Sequence, residues 1–478
     1  MKKVSLFLVL VMLATMLSLP AVAEGAYNMP ELNTTDPITV TFMTWDDYEL
    51  TQALADKFME QHPNITIELV YTTTGDVSAT LLNMAAEGAL PDVFFWLDLD
   101  PLLSNQMMMD ITDLVENDEE YVTKLYPSLQ NAGYVDGERC FFMPGENLPA
   151  VVYLDKGVFD KLNVDLPGQD WTWEDMCELI ETMSDPSQGI WGYNFFMGPV
   201  TCGPLSLVDN SKGEFGWNGE CYDFEVWAEC MELQSEYARK GYQAIGGSDE
   251  YLAVVPDNLW PGESGHVAIQ MDAYWTLNNI YTQAYCLERG VNMVPYNIPA
   301  GEGVENAGRF SWVDFISISA TCEHPREAYE VAKFLTWGKD GWLARAELYP
   351  NILNEAGDPI YRVPGSMPMV ADDEVIAAMA AIMPELKTAA GDVYWSDWEG
   401  FLANCTNPVT FGGRTIPGFN SFIANYYHGS DFNGYTGIEA AINANAINLW
   451  DYVDDLNTTG REYYDQTMQV FFSVYGQP

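Results

Sequence analysis

The sequence predicts an α/β protein built in two lobes, on three observations. Strand-like and helix-like patterns take turns near the start: Ile38, Val40 and Phe42 alternate, Leu50, Leu54 and Phe58 recur at helical spacing, and Ile65, Ile67, Leu69 and Tyr71 alternate again. Strands separated by helices in this way form parallel sheet. The chain has 478 residues, more than one ordinary core holds, so two lobes are expected. Hydrophobic residues make up 48% and aromatic residues 13%, a packed globular composition with aromatic side chains to spare for binding sites.

The elements follow in order. Pro63 must end the first helix. The second is read from Val77, Leu81 and Ala85, behind a possible cap at Asp76 and before a stop at Gly88. Pro91 and Asp92 punctuate the chain, and Val93-Phe94-Phe95-Trp96 reads as a fully buried strand. Sheets of this kind bind ligands beyond the carboxyl ends of their strands, which singles out Trp96 and Asp98; an ordinary core tryptophan is the competing reading of Trp96.

Glycine and proline on either side of Glu146 and Asn147 suggest a crossing between lobes, followed by a strand at 151–154 and a short helix at 156–162. Thr172 and Asp175 form a capping-box pattern, and the flanking Trp171 and Trp173 read as packing around that helix start. Further strands are expected at 190–194, with Phe195 and Phe196 at its end, at 265–271, running into Asp272, Tyr274 and Trp275, at 291–294, and at 310–319 through Trp312. Helices are expected at 224–238, at 251–260 with fraying at Pro256, and after Pro325; from 371 onward the chain reads as mostly helical, with a glycine-rich stretch around Gly412, Gly413 and Gly418. Core packing is the reading preferred for Phe196, Trp395 and Trp398.

Lys2 and Lys3, an apolar run at 4–17 and Ala21-Val22-Ala23 read as an export signal cleaved after Ala23, followed by a flexible lead-in at 24–36. No later segment reaches about 18 uncharged apolar residues, so a soluble mature protein is expected. The first cysteine is Cys140, which argues against an N-terminal lipid anchor. Removing the leader takes two of the 20 basic residues and none of the 70 acidic ones, leaving 18 against 70, a net charge of -52. That excludes nucleic acid as a partner, disfavours anionic ligands and favours a monomer.

The eight cysteines show no zinc spacing, and His62, His266, His324 and His428 are scattered, so no metal or other cofactor is expected. Cys202 with Cys221 and Cys177 with Cys230 are the candidate disulfides, with free buried thiols as the alternative. No nucleophile elbow, P-loop, zincin or EF-hand motif occurs, and Gly301 and Gly303 fail as a dinucleotide fingerprint because Asn306 stands where the third glycine belongs.

What remains is a set of carboxylates beside aromatics: Asp46 and Asp47 by Trp45, Asp98 by Trp96, Glu146 with Asn147, and Asp272 by Tyr274 and Trp275. Sugar rings pack on aromatic faces while carboxylates and amides take their hydroxyls, so a carbohydrate cleft fits. A secreted glycosidase needs a carboxylate pair roughly 5 to 10 Å apart and fits as well; a surface scaffold without small ligand is the third possibility.

Several segments together resemble the bacterial extracellular solute-binding proteins of ABC importers, in the carbohydrate-binding group that includes maltose-binding protein. They are residues 38–45; Ala85-Ala86-Glu87-Gly88 before Pro91-Asp92-Val93-Phe94-Phe95-Trp96; Tyr153-Leu154-Asp155-Lys156; Trp171-Thr172-Trp173-Glu174-Asp175; Gly265-His266-Val267-Ala268-Ile269 ending at Trp275; and Glu323-His324-Pro325-Arg326-Glu327-Ala328. The match spans 38 to about 350, and Asp155 departs from the family's usual asparagine.

The resemblance implies a periplasmic-binding-protein-like fold: a first lobe from 37–145 with about 316–365, a second from 146–310 with about 366–478, and crossovers near 145–150, 310–315 and 365. It implies a non-catalytic receptor that closes on a sugar and presents it to a membrane permease. Sugar-contacting positions fall on Trp96 and Trp275, with polar contacts expected from Asp46, Asp98 and Glu146 or Asn147; Trp45, Asp272, Tyr274 and Trp312 complete the candidate set.

Overall fold

The alternating N-terminal segment folds into β1 (Ile38–Thr44), α1 (Tyr48–Gln61), β2 (Ile65–Tyr71), α2 (Val77–Glu87) and β3 (Val93–Trp96). This computed structural model describes residues 27–194, 199–208, 213–304, 310–353, 357, 363–405 and 410–477; the export signal, Phe195, Phe196 and Asn306 lie outside them. β1 runs parallel to β2 on one side and to β3 on the other. The alternation buries Ile38, Val40 and Phe42, and Gly88 closes α2 at a φ of 68°, where a side chain would be strained.

Seven further strands complete one sheet: β4 (Met143–Asp155), β5 (Trp191–Asn194), β6 (Gln243–Ala244), β7 (Val267–Ala273), β8 (Met293–Tyr296), β9 (Phe310–Ile318) and β10 (Thr410–Phe411). The order is β2-β1-β3-β9-β4-β7-β5-β6, with β8 against β4 and β10 against β9. Parallel pairing holds for the outer strands of each half, while β9 runs antiparallel to β3 and β4, and β4 antiparallel to β7. The sheet is therefore mixed rather than parallel, because β4 and β9 thread it in opposite directions from one lobe to the other. Glu146, where a crossing is expected, lies within β4, near its start.

Each lobe buries its own core. The first gathers residues from β1, β2, β3 and the C-terminal half of β9, together with α3 (Leu99–Ser104). The second packs one face of β4 and β7 against α4 (Lys156–Leu162) and α5 (Trp173–Met183). Thr172 and Asp175 form the capping box at the start of α5, and Trp171 and Trp173 are buried beside it, as packing residues.

Three expectations need correction. The helix expected at 251–260 spans only Asp249–Val254, since Pro256 offers no backbone N–H. The seven cysteines with described side chains are all free, so neither candidate disulfide forms; Cys202 is buried and Cys221 exposed. The change of lobe near 365 also fails for two helices. Val375 and Met379 of the helix Asp373–Ile382, and Met468 and Phe471 of the last helix, Val453–Tyr475, belong to the first-lobe core. The last helix begins elsewhere, with Val453 and Leu456 in a separate cluster around Phe215 and Phe422. It straps that cluster to the first lobe, where Phe471 packs edge-on to Phe141 at 5.6 Å.

Candidate functional site

A cleft of about 490 Å³ opens where β4 and β9 cross between the lobes. Trp45, Asp46 and Leu97 line it from the first lobe, Trp275, Asn278 and Asn279 from the second, and Glu146 and Asp314 from the crossing strands. A larger hollow, of about 820 Å³, lies between Trp217, Asp136 and the last helix, but none of the expected site residues lines it. Its charged side chains are also committed locally, Asp136 to Arg139 and Arg461 to Asp465.

Local structure aims each cleft residue. Trp45 follows the last residue of β1, and its ring leans on Phe95 at 4.9 Å. The Asp46 amide donates to Thr44 Oγ1 at 3.0 Å, which bends the chain at the strand exit. β4 bulges between Pro144 and Glu146; a Cβ on Gly145 would lie 2.3 Å from the Phe95 ring, so only glycine fits. Such a bulge re-aims the next side chain, and Glu146 faces the cleft. Trp275 lies two residues beyond β7, where the chain turns into a π-helix, Leu277–Tyr281, that presents Asn278 and Asn279. Trp312 backs Trp275 edge-on at 5.9 Å, and Phe310 backs Trp312 at 5.1 Å.

The electrostatics are concentrated. Glu146 stands directly across the ladder from Asp314, where like charges repel. Burial first, then Asp46 and Asp314, hold the Glu146 carboxyl well above the usual carboxylate range. Burial also raises Asp314, against the pull of Arg414, whose Nη1 donates to it at 2.5 Å. Arg345 is only 5% exposed; its Nη2 donates to the Leu335 carbonyl, its Nη1 lies 3.9 Å from Asp46, and its Nε has no acceptor among the described residues.

Of the expected residues, Trp45, Asp46, Glu146 and Trp275 line the cleft, and Trp312 supports it from behind. The others are placed differently. Trp96 is 1% exposed, donates to Ser317 Oγ at 3.0 Å and is enclosed by Phe142 and Phe315, so it offers no face to a ligand. Asp98 caps α3, accepting from the Asp100 amide, and takes a second bond from Asn420. Asn147 is fully buried and ties β4 to the Ser311 hydroxyl, the Ser366 hydroxyl and the Pro368 carbonyl.

Asp272 accepts from the Ala273 amide and the Gln270 side chain, and burial pushes its carboxyl up to about 6. Tyr274 is buried against Phe401. In each case the side chain is taken up by a core or by a local hydrogen-bond set.

Sequence reading passed over Asp314, Arg345, Arg414, Asn278 and Asn279. Two of these carried a signal: Asp314 is a lone charge inside the apolar run of β9, and Arg345 shares a helix face with Trp342. The asparagines and Arg414 stand in segments whose sequence resembles ordinary polar loop. Among the described residues no group of three or more His, Cys, Asp or Glu could hold a metal ion, and no helix is long and apolar enough to cross a membrane.

One mixed sheet threaded between two lobes by a pair of strands, with a polar and aromatic cleft at the crossing, defines a two-lobed binding protein. The chain belongs to the bacterial extracellular solute-binding proteins, whose family model matches residues 44–337. No curated protein sequence matches it significantly. Among solved structures it is similar to the cyclic α-maltosyl-1,6-maltose binding protein of Arthrobacter globiformis, at 14% identity and TM-score 0.62 over 90% of this chain and 100% of that one. The sugar-binding protein MalE of Xanthomonas citri aligns at 13% identity and TM-score 0.61 over 91% and 99%. An ABC substrate-binding protein of Listeria monocytogenes, solved with cycloalternan, aligns at 15% identity and TM-score 0.59 over 93% and 100%.

Proposed function

We propose that this chain is an exported, non-catalytic receptor that captures a sugar or oligosaccharide between its lobes and delivers it to the permease of an ABC importer. The observation that carries the reading is the cleft itself, in which Trp45 and Trp275 come from opposite lobes and Asp46, Glu146, Asn278 and Arg345 supply acceptors and donors between them. Flat apolar rings on both sides of a polar floor suit a pyranose, whose faces are apolar and whose rim carries hydroxyls. The structural neighbours named for maltosyl sugars and cycloalternan support it, as does the leader with Lys2, Lys3 and Ala21-Val22-Ala23. Ligand that touches both lobes stabilises the closed state by its differential affinity.

Differential scanning fluorimetry against a panel of mono- and oligosaccharides tests this. A ligand at 100 times its Kd adds about 2.7 kcal/mol of stability. Silence across the panel removes the sugar reading. An oligosaccharide recovered intact after long incubation supports a receptor, whereas its hydrolysis makes the cleft that of a glycosidase.

A further inference from the structure

The cleft holds more carboxyl groups than guanidiniums. Four carboxylates, Asp46, Asp47, Glu146 and Asp314, line it against Arg345 and Arg414. Asp314 is committed to Arg414 and Asp46 faces Arg345. Asp47 is not free; Glu146 is left with the through-space pull of Arg345. It is pressed against Asp314 by the register of β4 and β9, and its carboxyl has no hydrogen-bond or ion-pair partner among the described residues. A neutral hydroxyl placed beside it leaves the repulsion from Asp46 and Asp314 in place. A protonated amine opposes that repulsion, favours the ionised form of Glu146 and then donates to it the stronger, charge-assisted kind of hydrogen bond.

A second feature points to a ligand that is also rich in oxygen. Arg345 lines the same cleft, is 95% buried (5% exposed), and holds an Nε–H with no acceptor. A hydroxyl or ether oxygen answers it, as a second ammonium does not. The two demands, one ammonium and several oxygens between two aromatic rings, meet in an amino sugar. The chain's formal charge of -50 adds a long-range field that draws cations and repels acidic sugars.

We propose that the ligand of this cleft is an amino sugar whose ammonium pairs with Glu146 while its hydroxyls engage Arg345; this rests on the sugar-receptor reading above.

The test compares amine sugars with their hydroxyl twins by calorimetry at pH 7 and low salt: glucosamine with glucose, galactosamine with galactose, and the glucosamine trimer of chitosan with cellotriose. At least one amine member should bind about tenfold or more tighter than its twin, the scale of a hydrogen bond to a charged group. Equal or tighter binding of the hydroxyl twin in every pair overturns the amine assignment and leaves the sugar receptor standing. Absence of binding by any sugar of either kind overturns both. In Glu146→Gln the preference for the amine should fall about tenfold; a preference that survives intact overturns the pairing with Glu146. The comparison on the unmodified protein decides the ligand class whether or not that variant folds.

Discussion

Two strand exits carry a tryptophan followed by polar residues, and the folded chain treats them in opposite ways. β3 ends at Trp96 in mid-sheet, paired with Phe315 of β9 and roofed by Phe142. Its exit is then sealed from far along the chain: the Asn420 side chain donates to the Leu97 carbonyl, and the Gly418 amide and the Ser421 hydroxyl donate to Asp100. β7 ends beside the β4–β9 crossing, where Trp275 is half-buried and lines the cleft with Asn278 and Asn279 of the π-helix turn. The difference lies in what arrives to cover the exit, not in the exit's own residues.

The comparison can be broken or sharpened by experiment, beginning with the largest expected effect. Trp96→Ala should destabilise the protein by about 3–5 kcal/mol in urea unfolding; a loss of sugar affinity at unchanged stability would make the two exits equivalent.

Each exit holds a carboxylate whose proton affinity burial raises, Asp98 at the first and Asp272 at the second. Burial pushes Asp272 up to about 6 and does the same to Asp155 at the opposite end of the β4–β7 ladder, where Asp155 Oδ2 has no hydrogen-bond partner among the described residues. Their raised affinity for protons stabilises the fold fully below the ordinary carboxylate range and is lost as pH rises through about 6. Each group therefore accounts for up to about 3 kcal/mol. Urea unfolding from pH 4 to pH 8 should show Asp272→Asn gaining on the native chain by that order over this interval. A difference independent of pH would mean that Asp272 ionises normally.

Trp275→Ala should weaken sugar binding by about 1–3 kcal/mol while shifting stability by less than about 1 kcal/mol. Unfolding instead would return Trp275 to the core with Trp96. The smallest change is expected at Asp98→Ala, which removes the cap of α3 at about 1 kcal/mol; unfolding and titration of the same sample separate that from any loss of ligand.

Much of the architecture was legible because it rests on local patterns. The β1 to β3 series, the strand at 267–273 and the capping box at Thr172 follow from periodicity and side-chain bonding within a few residues. The lining of the cleft was legible in part. Trp45, Asp46, Glu146 and Trp275 follow or interrupt strands at the cleft, and sequence singled them out by position. Trp96, Asn147, Asp272 and Tyr274 share the same local signature but are buried. Their partners Ser317, Ser366, Gln270 and Phe401 come mostly from distant segments.

The sequence by itself determined the alternation of strands and helices, the acidic charge and the aromatic wealth of the chain, because each is a property of composition or of residues a few positions apart. The tertiary structure alone decided which tryptophan faces the cleft, that β4 and β9 press Glu146 against Asp314, and that Arg345 and Arg414 stand beside them. Burial and like-charge repulsion depend on what packs across the sheet, and that is set by segments tens to hundreds of residues apart.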